Sequence, residues 1–355
     1  MNTSQLITII IPTHNRYKKL LRLLQYYASH NVSPRIRVLD SGNREQIPRN
    51  LQRDLQFIMD HKLIEYTRYP QDIFIAKKIS EGIKGIPTTY SVLCADDDFI
   101  TPIGLEKCIE FLELHPDYAA AQGTQIVFKQ NTNNPETFEW QIVPTDVSLE
   151  LDSPSERFFS HLSDYNTPTF YAVHRTEILQ SIWASTNKFT DDLRFGELLP
   201  TLLTVIYGKM KVLDVLYSAR ESLPLSEGRA AKRISDFLIE GSFKEKYQSF
   251  KECLAVHISD YEGLTIRASE ELIHNAMNEY LKKKCGASIS RLPLKLKVKK
   301  VLHLIRGLEV FYSLKKNLFH SRTKDSNPME FPYKDPDNPN YQDFIRIKKT
   351  VASQM

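Results

Sequence analysis

The stretch Val92-Leu-Cys-Ala-Asp-Asp-Asp-Phe-Ile-Thr-Pro102 places three consecutive acids directly after an apolar run. Asp96, Asp97 and Asp98 repel one another, by about 1 kcal/mol per pair at about 4 Å in water and by about 4 kcal/mol at an effective dielectric constant of about 20. A divalent cation would relieve that repulsion. Hard oxygen ligands suit Mg2+ or Mn2+, which usually keep coordination positions open for substrate phosphates. The stretch therefore predicts a site for a metal ion and a diphosphate at the end of a strand.

The same acids precede a predicted helix over residues 102–115, with Thr101 as its N-cap and Pro102 at its first position. The triplet could thus be a solvated acidic turn at the start of this helix. The two interpretations are compatible, because a helix cap does not require three acids.

The composition is that of an ordinary globular protein. The chain has 355 residues, of which 41% are hydrophobic and 25% are charged, so it can form one large core or two domains. Its first residues carry no basic segment, and no apolar run approaches the roughly 20 residues of a transmembrane helix. We therefore expect a protein that is made and kept in the cytoplasm. The four cysteines lie far apart without a CxxC pair, which favours neither a zinc site nor a disulfide framework.

The first part of the chain alternates between predicted strands and helices. Leu6 to Ile11 is a continuous apolar, mostly β-branched run, typical of a central strand that is buried on both faces. Residues 17–29 repeat apolar side chains at helical spacing, with Lys18, Lys19 and Arg22 on the solvent side. Further strands are predicted over 36–39, 63–69, 90–94 and 119–128, and further helices over 46–60 and 73–83. This order predicts a parallel α/β sheet that binds its ligand at the carboxyl ends of the strands.

Three polar loops follow these strands, at residues 12–16, 40–43 and 96–98. The segments around them are Thr8-Ile-Ile-Ile-Pro-Thr-His-Asn-Arg16, Val38-Leu-Asp-Ser-Gly42 and Leu93-Cys-Ala-Asp-Asp-Asp98. In order and spacing they resemble the opening strand motif, the Val-Asp-Asp-Gly-Ser motif and the DXD metal motif of the family 2 glycosyltransferases. The resemblance extends over residues 5–125. It implies the GT-A fold, an α/β fold with a Rossmann-like mixed sheet flanked by helices, here followed by a mainly helical C-terminal region.

The resemblance also implies a donor site, residue by residue. Pro12, Thr13 and Asn15 would surround the base and ribose of a nucleotide sugar, and Asp40 would accept a hydrogen bond from the base. Asp98 would be the principal ligand of Mn2+ or Mg2+. The implied nucleotide-sugar contacts are Pro12, Thr13, Asn15, Arg16, Asp40, Lys77, Asp96, Asp97, Arg220 and Arg229, and the implied metal ligands are Asp98 and Asp96.

Several positions depart from the family pattern. Ser41 stands where the family usually has a second acid, and the cluster is Asp-Asp-Asp rather than Asp-x-Asp-Asp. Lys77 and Lys78 could each meet a phosphate or lie on a solvated helix face. The identity of the base and the share of each acid in metal binding therefore stay open.

The region 218–233 supplies arginines but no histidine. Arg220 and Arg229 flank the apparent end of the catalytic domain, where a loop of this fold often closes over the donor, and guanidinium groups suit bidentate contact with a diphosphate. The family often adds a histidine to its metal ligands near here. Because residues 218–233 contain no histidine, two alternatives follow: the metal is held by acids and phosphates alone, or the enzyme depends less on a metal.

A catalytic base is expected downstream, because an inverting sugar transfer needs a carboxylate to take the acceptor proton. The candidates are Asp191, Asp192 and Glu197, which precede an apolar helical run. Counted back from Gly208, Leu198 occupies the position of the family's usual base, so that position is apolar here. For each acid alone, a charge favoured at a helix N-terminus is the alternative.

The basic residues are concentrated near the C-terminus. Residues 282–324 hold thirteen Lys or Arg and one acid, a local net charge of +12, while the rest of the chain carries −8. Residues 291–320 predict a basic amphipathic helix, which could lie on an anionic membrane surface at about 1 kcal/mol per nearby basic residue, or pack on the catalytic domain or a second copy of the chain. No aromatic-basic interleaving supports nucleic-acid binding. Residues 323–355 predict an extended tail.

The resemblance thus implies a metal-dependent, inverting glycosyltransferase that would extend a bacterial-type surface glycan. Its acceptor would be a glycan or a lipid-linked glycan, and the enzyme would be cytoplasmic, with the inner face of the cell membrane as a possible peripheral site. Residues 1–230 would form the GT-A domain, divided at residue 128 into nucleotide-sugar and acceptor halves, and 231–322 a helical basic region. A nucleotidyltransferase is less favoured, because residues 12–16 contain no glycine. A non-catalytic scaffold or glycan-binding module stays as the other alternative.

Overall fold

Nine strands form one mixed sheet in the part of the chain that this computed structural model describes, residues 5–29, 34–131, 137–143, 147–165, 168–188, 192–222, 234–285 and 331–353. The strands are β1 (Ile7–Thr13), β2 (Arg35–Asp40), β3 (Ile64–Arg68), β4 (Tyr90–Leu93), β5 (Phe99–Ile100), β6 (Tyr118–Gln130), β7 (Phe138–Ile142), β8 (Val173–Arg175) and β9 (Lys209–Glu221). Their order across the sheet is β3-β2-β1-β4-β8-β6-β9-β5, and β7 pairs with β6.

Helices flank the sheet on both faces. They are α1 (Tyr17–Ala28), α2 (Arg49–Met59), α3 (Ile75–Ile83), α4 (Pro102–Leu114), α5 (Pro154–Ser163), α6 (Thr176–Thr186), α7 (Leu193–Tyr207), α8 (Ile234–Glu240), α9 (Phe243–Glu262), α10 (Ile266–Cys285) and α11 (Tyr341–Ala352). Short 3-10 turns occur at Arg44–Gln46, Thr169–Tyr171 and Pro332–Lys334.

The side chains of strand β1 explain why helices pack on both faces of the sheet. Ile10 belongs to an apolar cluster that includes side chains of α3, α6 and α7, whereas Ile9 and Ile11 belong to a second cluster with α1, α4 and α11. Successive side chains of a strand point to opposite faces, so a continuous apolar run needs apolar partners on both sides. The predicted α/β architecture is therefore confirmed.

The parallel strands β1, β2, β3 and β4 bring their carboxyl ends to one edge. Thr13 lies opposite Asp40 in the β1 and β2 register, and Ile10 lies opposite Leu93 in the β1 and β4 register. The loops after β1, β2 and β4 therefore meet, as the sequence predicts. The predicted N-cap is also confirmed, because Thr101 Oγ1 accepts a hydrogen bond of 3.0 Å from Gly104 N at the start of α4.

Strand β9 brings a later part of the chain to the same edge. It runs parallel to β6 and continues to Glu221, and its end pairs antiparallel with β5 directly after the acid triplet. Close approach of β6 and β9 requires glycine at residue 123, since a Cβ there would lie 2.4 Å from the Val215 carbonyl oxygen. The result is that residues 220–221 lie beside the acids of the β4 loop.

The predicted helical region after residue 234 is confirmed over α8, α9 and α10, which pack on α5 and α7 through buried residues such as Phe250 and Ile258. Among the described helices, none has the length and apolar character needed to cross a bilayer. The predicted basic helix at 291–320 lies outside the described residues.

The prediction of an extended tail over 323–355 is wrong for its last part, because residues 341–352 form helix α11. Phe344, Ile347 and Val351 recur at helical spacing and are buried against α1 and the sheet. The Phe344 ring lies 5.0 Å from the ring of Trp140, centroid to centroid. The Pro- and Asn-rich composition before residue 340 favours an extended tail, and the short apolar stripe after it was overlooked.

We predict that Phe344→Ala lowers the free energy of unfolding by about 3 to 5 kcal/mol, because it removes a fully buried ring from the contact of α11 with the sheet. Chemical denaturation followed by circular dichroism measures this change. The exposed Lys348 on the same helix is the control, and Lys348→Ala should change the value by no more than about 0.5 kcal/mol. Equal small effects of both substitutions would mean that α11 does not pack on the domain.

Candidate active site

A cavity of about 840 Å3 opens at the carboxyl ends of β1 and β4, between the acid triplet and helices α3 and α7. Its volume is within the range of small-molecule and cofactor sites. The structure brings eight of the residues predicted from the sequence to its wall: Pro12, Thr13, Arg16, Asp96, Asp97, Asp98, Glu197 and Arg220.

Two guanidinium groups and a backbone amide hold the three acids of the triplet. Asp96 accepts a hydrogen bond of 2.7 Å from Thr13 Oγ1 and forms an ion pair of 2.9 Å with Arg16 Nη1. Arg16 Nη2 pairs with Asp97. Asp98 Oδ2 lies 3.3 Å from Arg220 Nε, while its Oδ1 accepts a hydrogen bond of 3.0 Å from the backbone N–H of Glu221.

Burial makes two of these carboxyl groups hard to ionise. It raises the pKa of Asp96 to about 7, although the nearby Arg16 guanidinium acts in the opposite direction. Burial likewise raises the pKa of Asp98 to about 6, against the effect of Arg220. Raised carboxyl pKa values in a cavity are typical of functional sites, because they show where negative charge lacks full compensation.

The donor set fits a hard divalent cation only in part. The carboxylates of Asp96 and Asp98 are the ligand type that Mg2+ and Mn2+ prefer, but within the described residues no three Asp, Glu, His or Cys side chains converge on one point. Asp96 is already engaged by Thr13 and Arg16. Asp98 is likewise engaged, by Arg220 and the backbone N–H of Glu221, so a cation bound at either acid would need substrate oxygens or water to complete its coordination.

Asp40 is buried at the end of β2. Its carboxylate has no exposed surface and is not part of the cavity wall. It accepts hydrogen bonds from Gly42 N at 2.6 Å and from the Tyr17 hydroxyl at 3.3 Å, and it pairs with Arg68 and with the Tyr66 hydroxyl. Sequence reasoning missed Tyr66 and Arg68, although the predicted strand 63–69 placed them beside this loop.

The two lysines of α3 separate clearly. Lys77 is exposed, whereas Lys78 is buried and lies on the cavity wall. The Lys78 ammonium donates to Thr13 O at 2.9 Å and to Ser41 Oγ at 2.8 Å. Lys78 therefore lies on the cavity wall and Lys77 does not, because these two residues are adjacent on a helix and point about 100° apart.

Asn15 contributes to loop geometry rather than to the cavity wall. It has a φ of 56°, a conformation that Asn tolerates better than most residues, and its Oδ1 accepts a hydrogen bond of 2.6 Å from Asn43 N. This contact joins the loop after β1 to the loop after β2. Asn15 thus fixes the position of its neighbours Thr13 and Arg16.

The three candidate bases are also separated. Glu197 lies on the cavity wall and pairs with Arg194 at 3.1 Å. Asp192 is the N-cap of α7, where its Oδ1 accepts a hydrogen bond of 2.7 Å from Phe195 N. It lines a second cavity of about 520 Å3, with Lys246 3.7 Å away. Asp191 lies outside the described residues, as does Arg229.

Aromatic side chains form another part of the cavity wall. Phe74, Phe170, Tyr171 and Trp183 line this part, and the Arg220 guanidinium lies 5.1 Å from the centre of the Tyr171 ring. Sequence reasoning did not single out Phe74, Phe170 or Tyr171. Aromatic faces beside carboxylates form a surface that suits a sugar ring with its apolar face and its hydroxyl groups.

We predict that Asp98→Asn makes the free protein more stable at neutral and alkaline pH. The pKa of Asp98 is raised from 3.8 to about 6, so its stabilising contribution is fully present below about pH 4 and is lost as the pH rises through about 6. The difference in unfolding free energy between the variant and the wild type should therefore grow over this range, by on the order of 2 to 3 kcal/mol.

Denaturant titrations from about pH 4 to pH 8 without added metal measure this difference, and the subtraction removes groups that titrate equally in both proteins. Asp54→Asn is the matched control, because Asp54 is exposed on α2. A difference for Asp98→Asn that does not change with pH would contradict the expected titration.

Comparisons with known proteins agree with this architecture. The family model described as glycosyl transferase family 2 matches residues 8–179. The structure of S. aureus TarS 1–349 in complex with UDP-GlcNAc has 15% identity and a TM-score of 0.54, with the match covering 83% of this chain and 78% of that chain. S. aureus TarS 1–349 alone has 14% identity and a TM-score of 0.50, covering 84% and 78%. No curated protein matches the chain.

At these identities the likeness to TarS establishes the fold, and the family assignment comes from the match over residues 8–179. That match contains the loops after β1, β2 and β4, which are the loops that form the cavity beside the acid triplet. Residues 8–179 therefore belong to glycosyl transferase family 2, and the described residues have a mixed α/β sheet flanked by helices, the GT-A-like fold of TarS.

Proposed function

We propose that this enzyme transfers a sugar from a nucleotide-sugar donor to a hydroxyl group of a glycan acceptor. The observation that supports this proposal most strongly is the single cavity in which the acid triplet, Arg220 and Glu197 face one another. The reaction needs positive charge for the departing diphosphate and a carboxylate for the acceptor proton. Both kinds of group lie on the wall of this cavity.

The donor diphosphate would lie beside Asp98 and Arg220. The buried carboxyl groups favour a cation in this place, and a Mn2+ or Mg2+ ion bound by Asp98 would supply Lewis-acid stabilisation of the diphosphate. Arg16, Lys78 and Arg220 would hold the anionic donor, and Thr13 would orient Asp96 through its 2.7 Å hydrogen bond. The nucleotide would extend from there along the loops after β1 and β2.

Glu197 is the proposed base. It comes from a different part of the fold than the acid triplet, so an acceptor hydroxyl could enter between the two. The aromatic wall formed by Phe74, Tyr171 and their neighbours would support the sugar rings. A base on the side opposite the leaving group gives inversion at the anomeric carbon, which is the expected outcome.

The TarS structure with bound UDP-GlcNAc suggests the first donor to test, because the likeness to this chain covers most of both proteins. We propose a lipid-linked or other surface glycan of bacterial type as the acceptor, with the enzyme acting in the cytoplasm or peripherally at the inner face of the membrane. The basic segment 291–320 would provide the membrane contact, or a contact with a second copy of the chain.

Metal and donor binding can be tested without an acceptor. In a thermal-shift titration, UDP-GlcNAc or another nucleotide sugar with Mn2+ should stabilise the wild type by about 2.7 kcal/mol at a concentration of about 100 times its Kd. Asp98→Ala should lose most of the metal-dependent part, since it removes the proposed ligand. Asp54→Ala, at an exposed position, should behave like the wild type.

The same panel is repeated with Mg2+ and with chelator. If a donor stabilises the protein equally in chelator and in Mn2+, the donor site stays in the proposal and the metal does not. The absence of any shift with every nucleotide sugar and every metal would contradict the proposed function.

The base assignment makes opposite predictions for two acids of one helix. Glu197→Gln should lower kcat by about 100-fold to 10,000-fold, with little change in the KM of the donor, because it removes the group that accepts the acceptor proton. Asp192→Asn should change neither constant appreciably, since Asn also caps a helix N-terminus. Initial rates of sugar transfer measure both. Loss of transfer in Asp192→Asn with retention in Glu197→Gln would reverse the assignment.

A further inference from the structure

Arg22 is a buried charge that the proposed reaction does not use. Its pattern on α1 predicts a solvated side chain, yet only 4% of the residue is exposed. The guanidinium lies 5.0 Å from the centre of the Phe99 ring and 5.8 Å from the centre of the Phe128 ring. An arginine stays charged, and a buried charge is costly unless partners compensate it. The partners of Arg22 therefore indicate what the residue is for.

Arg22 joins two segments of the active site. Its Nη2 donates a hydrogen bond of 2.9 Å to the main-chain oxygen of Asp97 and one of 2.5 Å to Glu221 Oε2. Lys19, one turn earlier on α1, pairs with the other carboxylate oxygen of Glu221. Helix α1 thus holds the acid loop after β4 and the end of β9 at the same time.

The end of β9 in turn orients Asp98. The backbone N–H of Glu221 donates to Asp98 Oδ1, and Arg220 Nε lies beside Asp98 Oδ2. Both contacts depend on where residues 220 and 221 lie relative to the acid loop. Arg22 is not part of the cavity wall, so it acts on this geometry without reaching the donor.

We propose that Arg22, acting through Glu221, is a positioning residue for sugar transfer: it fixes Asp98 relative to the donor diphosphate. This inference rests on the proposed function. Its physical basis is that a misplacement of about 1 Å in an active site can cost about 100-fold in rate. A guanidinium suits the task because its planar group can stack on rings and donate to two acceptors at once, which an ammonium group does less well.

The experiment compares Arg22→Met, Arg22→Lys, Glu221→Gln and the double variant Arg22→Met/Glu221→Gln with the wild type. Lys18→Met is the matched control, because Lys18 is exposed on the same helix. For each folded protein, initial rates give kcat, the KM of the donor and the Mn2+ concentration for half-maximal activity. Thermal melting in parallel reports the stability of each variant.

A positioning role predicts a specific pattern. Arg22→Met should lower kcat by about 10-fold to 100-fold and raise the Mn2+ requirement, while the KM of the donor changes by less than about three-fold. Arg22→Lys should recover part of the loss. The double variant should be no more than about two-fold slower than the slower single variant, because both substitutions remove the same Arg22–Glu221 interaction. Lys18→Met should match the wild type.

A purely structural role gives a different pattern. Folded Arg22→Met that melts at a lower temperature but keeps the kcat and Mn2+ requirement of the wild type would overturn the proposal. If Arg22→Met does not fold, Arg22→Lys and Glu221→Gln decide, and unchanged kcat in both overturns it. If the wild type is inactive with every nucleotide sugar, both the proposed function and the positioning role are overturned. If the wild type is active and the variants are equally active, only the positioning role is overturned.

Discussion

The constraint on which this active site depends is the burial of three adjacent carboxyl groups at the end of β4. Asp96, Asp97 and Asp98 are each less than one tenth exposed, so the protein must supply positive charge or hydrogen bonds to every one of them. No single element can do so for three consecutive residues that point in different directions. The carboxylates are therefore compensated from separate segments, by Arg16 in the loop after β1 and by Arg220 on β9, while Arg22 on α1 donates to the main-chain oxygen of Asp97.

This constraint explains the unusual course of β9. The strand starts beside β6, far from β4 in the order of the sheet, and yet its end must reach Asp98. The two-residue strand β5 achieves this, because it follows the triplet immediately and pairs with Ala219 and Ser218 of β9. Arg220 and Glu221 are then the next residues along, opposite the acids. A longer loop between the triplet and β5 would separate the carboxylates from their partners.

Much of this arrangement follows from local patterns in the sequence. The buried run of β1, the helical spacing of α1 and the polar residues at strand ends predict a parallel sheet with its ligand edge, since parallel strands bring their carboxyl ends together. The burial of Arg22, the partners of Asp40 and the packing of α11 were not predicted. Each depends on residues that are distant in the sequence, such as Tyr66, 26 positions from Asp40, and Glu221, 199 positions from Arg22, so no local pattern contains the information.

The two described candidate bases are separated by the start of α7. Asp192 is the N-cap, with extended rather than helical backbone angles, and lines the smaller cavity. Glu197 lies within the helix and lines the main cavity.

Leu193, Gly196 and Glu197 have the spacing of one helix face, and all three line the main cavity. Leu198 points about 100° away from Glu197 and is buried in the core, so an acid there would face apolar side chains rather than the acceptor. On the proposed function, the base has therefore moved by one residue from the usual family position. The apolar residue at position 198 is then consistent with catalysis, because the carboxylate that the reaction needs is supplied by its neighbour.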